Sequence, residues 1–514
     1  MGVFAADTLQ GPSVNWFALS PLIVLLVGTM VLLVAAALTP QWPKRFYASF
    51  TAAIAIAASV LGFLLWHRID TRGATTLVGN AMRFDKMAIW VTLTILAAVF
   101  LTSLVTDDYL RREGLDGPEL YALIMMAAIG GIVMGAANDF IVLFLGLEIL
   151  SISLYVMAAS HRKRMQSQES GLKYFVLGGF SSAFFLYGVA LVYAGTGTTN
   201  FTTIINQLAD RVPIKSGESA LMLAGVALLI VGLGFKAAAV PFHFWTPDVY
   251  QGSPTPITAF MASIGKMAAF AAMLRVLVVA LPAWKDDWRP VVWIIAILTL
   301  VIGSISAVVQ TNVKRMLAYS SISHAGFILI GVEAAGHAGG SSADRGGMPG
   351  TMLYLLIYAV LVVGTFAIVS VVGRTGDAAT DLASFRGLAR QKPLLALALT
   401  VFLLAQAGVP LTSGFIAKFG VIQAAVKQHS YALAIVAMVS AVIAAFLYLR
   451  ILISVWLADP EAGDDARETV RVPVSTAIAI GFCVAFTLYV GFNPGWFIGL
   501  SETVVIVATA TSGG

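Results

Sequence analysis

Apolar residues fall along this chain in long unbroken blocks, and polar positions collect in the short intervals between them. A block of about 20 helical residues crosses a hydrocarbon core about 30 Å thick. The blocks run Trp16 to Leu38, Arg45 to Trp66, Lys86 to Val105, Leu120 to Ala136, Phe140 to Ala159, Leu172 to Ala194 and Ala220 to Tyr250. They continue with Pro254 to Leu281, Trp288 to Val309, Val313 to Val332, Met352 to Val372, Pro393 to Lys427, Tyr431 to Trp456 and Pro473 to Val490. The tail from Trp496 to Thr509 is too short to span. The pattern predicts an all-α polytopic membrane protein of about fourteen transmembrane helices, with no soluble domain between them.

Composition agrees. Of the 514 residues 59% are hydrophobic and 11% charged, where a soluble globule carries about 25% charged residues. Basic residues concentrate in alternate intervals: Lys44, Arg45, Arg111, Arg112, Arg162, Lys163, Arg164, Lys173, Lys314, Arg315, Arg374, Arg386, Arg390, Lys392, Arg467 and Arg471. The positive-inside rule makes these intervals cytoplasmic, and an even helix number then puts both termini on the outer side. The net charge of +5 follows from this bias and does not call for nucleic acid. Met1 to Asn15 lacks a basic n-region, so the first helix is expected to be retained. The single cysteine, Cys483, excludes a CxxC metal or redox motif and a thiolate-held iron–sulfur cluster within this chain.

Helix punctuation points to a repeat. The seventh block is interrupted by Pro241 and Pro247, the twelfth by Gly408-Val-Pro410-Leu-Thr-Ser-Gly414. Breaks five helices apart reverse direction across the membrane, so helices 4–8 and 9–13 form two inverted units, a transporter plan. The expected divisions are 1–112 (three N-terminal helices), 113–282 (first unit), 283–458 (second unit) and 459–514 (last helix and tail). The frameworks correspond but the sites are not identical, since Lys236 precedes Pro241 while Lys418 follows Pro410. Gly131 and Gly135, at GxxxG spacing, read as a packing surface. Gly232-Leu-Gly234 has no preceding strand and is no nucleotide fingerprint.

The informative residues are charges inside the blocks. Lys236 sits deep in an apolar run, where an ammonium costs about 2.5–3.5 kcal/mol, beside prolines that also remove backbone hydrogen bonds. Glu148, Lys266 and Lys418 are likewise far from either end of their helices. Arg275 retains its proton and lies nearer an interface, so it reads as an anchor or pair partner. His243, between the two prolines, and His324, four residues after Ser320, offer imidazoles that accept and donate in turn. Burial favours the neutral amine and a nearby carboxylate the charged one. At an effective dielectric near 20, a unit charge contributes about 4 kcal/mol at about 4 Å and half that at about 8 Å. Movement of Glu148 relative to Lys236 therefore switches the lysine between holding and releasing a proton, and Lys266, Lys418, the histidines and water extend the relay. The alternative for each residue is a structural ion pair or a satisfied core side chain.

The segment from Gly234-Phe-Lys236 through Pro241-Phe-His243-Phe-Trp245-Thr-Pro247-Asp248-Val-Tyr250-Gln-Gly252-Ser-Pro254-Thr-Pro256, with Val313-Lys-Arg-Met-Leu-Ala-Tyr-Ser-Ser-Ile-Ser-His324, closely resembles the antiporter-like membrane subunits of respiratory complex I. The likeness covers essentially the whole chain and is nearer to the N type, the counterpart of mitochondrial subunit 2, than to the L and M types. Lys418 stands where M types tend to carry Glu, and the long lateral helix expected of an L type is lacking. The resemblance implies that Glu148 pairs with Lys236, that Lys266 connects inward and that Lys418 gates release. It further implies a proton translocase in a bacterial inner membrane, coupled to NADH:quinone oxidoreduction. NADH, FMN, iron–sulfur clusters and quinone would be handled by partner subunits, and the M, K and J membrane subunits would be its neighbours. An Mrp-type cation/proton antiporter subunit, a membrane hydrogenase subunit and a lipid-facing scaffold remain alternatives on sequence alone.

Overall fold

The computed structural model describes residues 14–39, 42–115, 117–210, 216–337, 346–459 and 470–504. The expectations placed on residues 1–13, on Arg467 and on the tail beyond residue 504 lie outside them. The described chain is almost entirely helical: α1 Trp16–Leu38, α2 Lys44–Arg72, α3 Lys86–Glu113, α4 Pro118–Ala136, α5 Phe140–Ala158, α6 Met165–Thr196, α7 Phe201–Asp210, α8 Ser216–Ala237, α9 Trp245–Gly252 and α10 Thr255–Met273. There follow α11 Lys285–Val308, α12 Val313–His337, α13 Met348–Val372, α14 Leu388–Gln391, α15 Pro393–Ala407, α16 Ser413–Lys427, α17 Tyr431–Trp456, α18 Val474–Phe492 and α19 Gly495–Thr503. Among the described residues, thirteen helical spans are long and apolar enough to cross a membrane. A fourteenth crossing is divided between α15 and α16.

Two elements escape the hydropathy pattern. A hairpin pairs β1 Thr75–Leu77 with β2 Met82–Phe84 in antiparallel register, too short to register against long apolar blocks. Helix α7 buries Phe201, Ile204 and Leu208 on one face and is too short to span.

The helix breaks form largely where expected, with one correction. Only Pro241 lies between α8 and α9, because Pro247 falls in the first turn of α9, where its missing N–H has no intrahelical partner to lose. The other break follows Gly408, at φ 90°, a left-handed conformation that glycine adopts without strain. At Gly414 a Cβ would stand 1.7 Å from the Ala405 carbonyl oxygen, so the two halves approach this closely only because a hydrogen occupies that position. Gly131 and Gly135 pack against Ile95 and Val91 of α3, in keeping with their small-residue role.

Helices α10, α12 and α13 are enclosed on nearly every side, whereas α1, α6 and α17 keep broad apolar faces exposed. The deepest ionisable groups therefore belong to central helices. Arg275, in the π-helical segment Leu274–Ala280 that continues α10, binds Asp85 through two contacts of 2.7 and 2.6 Å and the Gly135 carbonyl at 3.0 Å. Asp85 also caps α3 by accepting from the Ala88 N–H at 2.9 Å. On the face carrying the basic intervals, Asp377 accepts from Arg164 at 2.9 Å, Lys314 at 3.2 Å and the Thr255 N–H at 3.2 Å.

Candidate functional site

The break after α8 brings Lys236, its penultimate residue, against α5 and α6. Its Nζ donates to Ser151 Oγ at 2.8 Å and to the Tyr174 hydroxyl at 3.3 Å. The rings of Tyr155 and Tyr174 lie 5.6 and 5.3 Å from the ammonium, a separation at which an aromatic face attracts a cation. Tyr174 in turn stacks on Trp245, with centroids 4.4 Å apart. Glu148 is half-buried and accepts from the Ser182 hydroxyl. Among the described residues no ion pair within 4.0 Å joins Glu148 to Lys236, so the direct pair that the family resemblance implied is not formed. Ser151, three residues beyond Glu148 and on the same helical face, accepts from the ammonium instead.

Lys266 approaches the same break from α10. Its Nζ donates to the Ala237 carbonyl at 3.1 Å, an acceptor left free because α8 stops there. The Lys266 ammonium also lies 6.0 Å from the Tyr358 ring. Tyr358 donates to Ser321 Oγ at 2.8 Å, and its ring is 5.1 Å from that of His324.

His324 occupies the centre of the second unit. Its Nδ1 is 2.6 Å from the Tyr354 hydroxyl and its Nε2 is 3.3 Å from that of Tyr448. Tyr448 reaches Ser320 at 2.6 Å, and Ser320 reaches Gln406 Oε1 at 3.5 Å. Next to Gln406, the Ala407 carbonyl accepts from Lys418 Nζ at 2.9 Å. The Lys418 ammonium also faces the Phe327 ring at 4.7 Å. Both breaks thus give a freed carbonyl to an ammonium, from the following helix in one unit and from the same broken helix in the other.

Contacts therefore run from Ser151 through Lys236, Ala237, Lys266, Tyr358, His324, Tyr448, Ser320 and Gln406 to Lys418, and Glu148, held by Ser182, lies one helical turn before Ser151 on α5. Four of the six residues singled out in the sequence, Lys236, Lys266, His324 and Lys418, belong to this succession. His243 does not: it is buried in the break, packs on Phe244 at 4.6 Å, and its Nδ1 has no hydrogen-bond partner among the described residues. The connecting hydroxyls of Ser151, Tyr174, Tyr354, Tyr358 and Tyr448 are absent from the sequence reading. Tyr354 and Tyr358 carry a legible signal, since two phenols at i and i+4 share one face of an otherwise apolar helix. Ser151 and Tyr448 carry none, because their partners lie on remote helices.

A sequence profile of the family described as "NADH:quinone oxidoreductase/Mrp antiporter, TM" matches residues 137–444. NADH-quinone oxidoreductase subunit N of Mycobacterium tuberculosis (strain CDC 1551 / Oshkosh) is 40% identical, over 96% of this chain and 98% of that one. A chain of respiratory complex I from Thermus thermophilus with bound aureothin superposes with a TM-score of 0.77 at 30% identity, covering 94% of this chain and 99% of that one. A chain of the Mrp complex from Dietzia sp. DQ12-45-1b gives 0.79 at 20% identity, with coverages of 95% and 97%; at that identity the likeness concerns the fold alone.

Proposed function

Because this chain belongs to the NADH-quinone oxidoreductase subunit N family, the antiporter-like proton-translocating membrane subunits of respiratory complex I, we propose that Glu148, Lys236, Lys266 and Lys418 carry its protons, with His324 linking the two units. The protein is a multi-pass inner-membrane subunit of a translocase complex and works beside other membrane subunits. We place the M, K and J subunits among its neighbours, both termini on the outer side, and NADH, FMN, iron–sulfur clusters and quinone in partner chains.

The succession of contacts from Ser151 to Lys418, with Glu148 one helical turn from its start, is the observation that supports this reading. Each ammonium is held by a hydroxyl, a freed carbonyl or an aromatic face, and among the described residues none is locked in an ion pair. Such partners accept a hydrogen bond from the charged amine, and a rotating hydroxyl also donates to the neutral one. Proton movement then requires local reorientation and water, without covalent chemistry. The 20% likeness to the Mrp chain leaves the antiporter alternative resting on fold, whereas the 40% identity over nearly the full chain favours complex I. His243 keeps only a supporting place at the break.

The test is proton pumping per electron pair by the intact complex in proteoliposomes. Lys236→Ala and Glu148→Ala should assemble and pump less per NADH oxidised, and Lys418→Ala should impair release. Normal pumping by assembled Lys236→Ala removes the relay.

A further inference from the structure

On the basic face, α4, the end of α5 and the start of α6 enclose a groove of about 850 Å³. Its walls are apolar, and Val156, Leu172 and Phe175 are exposed at 51%, 65% and 59%. Arg162 and Lys163, in the loop joining α5 to α6, stand exposed at its mouth. Nearby cations are paired: Arg164 with Asp377 at 2.9 Å, Lys173 with Asp248 at 2.8 Å, and Arg112 with Glu113 at 3.5 Å. Among the described residues, neither Arg162 nor Lys163 has a carboxylate within 4.0 Å. The lining contains one acid, the exposed Glu119, so two cations against one carboxylate leave the groove with a net positive mouth.

The depth of the groove matches one leaflet. Phe175 lies ten residues beyond Met165, where α6 begins, and at about 1.5 Å per residue that is roughly 15 Å, half of a hydrocarbon core about 30 Å thick. The groove closes at Phe175 and Leu123, while the exposed apolar face of α6 continues beyond it through Phe180 and Phe184. Basic pockets between transmembrane helices on the cytoplasmic side suit anionic lipid headgroups. We propose that the groove binds an anionic phospholipid, its phosphodiester against Arg162 and Lys163 and one acyl chain along Val156, Leu172 and Phe175. Tyr155 forms part of the same wall while its ring faces the Lys236 ammonium at 5.6 Å. A bound acyl chain therefore seals the cage around Lys236 from the lipid side; this consequence, unlike the binding itself, rests on the relay reading.

The experiment uses the intact complex, delipidated and reconstituted in nanodiscs of phosphatidylcholine with a titrated fraction of phosphatidylglycerol, with bound lipid read by native mass spectrometry. The paired variant Arg162→Gln with Lys163→Gln should weaken phosphatidylglycerol retention about thirtyfold, from about 1 kcal/mol for each basic side chain. Leu172→Trp, which fills the groove and leaves the cations in place, should also reduce it. Unchanged retention in both variants overturns the proposal. So does displacement of the lipid by inorganic phosphate, which would make this a simple anion site, or crosslinking of a photoreactive residue at position 172 to a partner polypeptide in place of lipid. Loss of lipid with unaltered pumping removes the sealing role and leaves the binding intact. Normal pumping by Lys236→Ala removes the relay and leaves lipid retention unaffected.

Discussion

The Lys236 ammonium donates to Ser151 at 2.8 Å, and Ser151 stands one helical turn beyond Glu148 on the same face of α5. Glu148 itself accepts from Ser182, so the amine is held by a hydroxyl and not by the acid. A hydroxyl there holds the charged lysine without neutralising it, so a modest shift of Glu148 changes the field at Nζ without first breaking an ion pair.

Ser151→Ala should slow pumping by about tenfold or more, since a hydrogen bond to a charged group contributes about 1.5–3 kcal/mol. Proton flux per NADH oxidised in proteoliposomes measures this. A native ratio at native turnover would leave Ser151 a packing residue.

Lys266→Met keeps an unbranched apolar stem, one atom shorter, and removes the donor to Ala237. The stranded carbonyl at the helix break should cost about 1–3 kcal/mol, visible as a lower thermal midpoint of the assembled complex, and pumping should fall with it. Full pumping by the assembled variant would restrict Lys266 to holding the break together.

Tyr448→Phe preserves the ring and removes the hydroxyl that lies between Ser320 and His324. Pumping should fall while NADH oxidation by the uncoupled complex persists. Tyr354→Phe, at 2.6 Å from the other imidazole nitrogen, should leave a smaller defect, because Tyr354 lies off the route toward Lys418. Native pumping by both variants would assign His324 to packing.

The Arg275 to Asp85 pair is structural. Arg275→Leu should destabilise the protein by about 3 kcal/mol, because it leaves the buried Asp85 with only the more distant Arg83, at 3.8 Å, and adding Asp85→Leu should recover much of that loss. Thermal unfolding of the single and double variants measures both effects, with the proton ratio of the surviving complex unchanged. Additive losses would contradict the pairing.

Asp377 supplies a pH dependence of stability. Burial pushes its carboxyl upward, but the Lys314 and Arg164 cations and the Thr255 N–H outweigh burial and hold it below the ordinary carboxylate value. A depressed folded-state pKa contributes stability that is present above about pH 3.9, the unfolded value, and disappears as pH falls through the folded one. The difference in thermal midpoint between the native protein and Asp377→Asn should therefore be largest near neutrality and shrink below about pH 4. A difference that persists unchanged into acid would show that the contacts of Asp377 do not depend on its charge.

The membrane class, the sequence of spans and the two breaks were legible in the chain itself, because the bilayer demands apolar length and satisfied backbone groups, and both are written locally. The deep residues Glu148, Lys236, Lys266 and Lys418 could be picked out for the same reason: a charge inside an apolar run is conspicuous without knowledge of its neighbours. Which group each one touches could not be read in this way. Ser151 meets Lys236 across 85 positions and Tyr448 meets His324 across 124, and such distances close only when helices pack. Tertiary structure alone gave Lys236 the Ser151 hydroxyl and Glu148 the Ser182 hydroxyl, gave the freed carbonyls of Ala237 and Ala407 to lysines, left His243 off the succession and paired Arg275 with Asp85. Hydropathy records the cost of burying each residue singly, whereas a relay depends on the separations between residues, and those arise from the packing of remote helices.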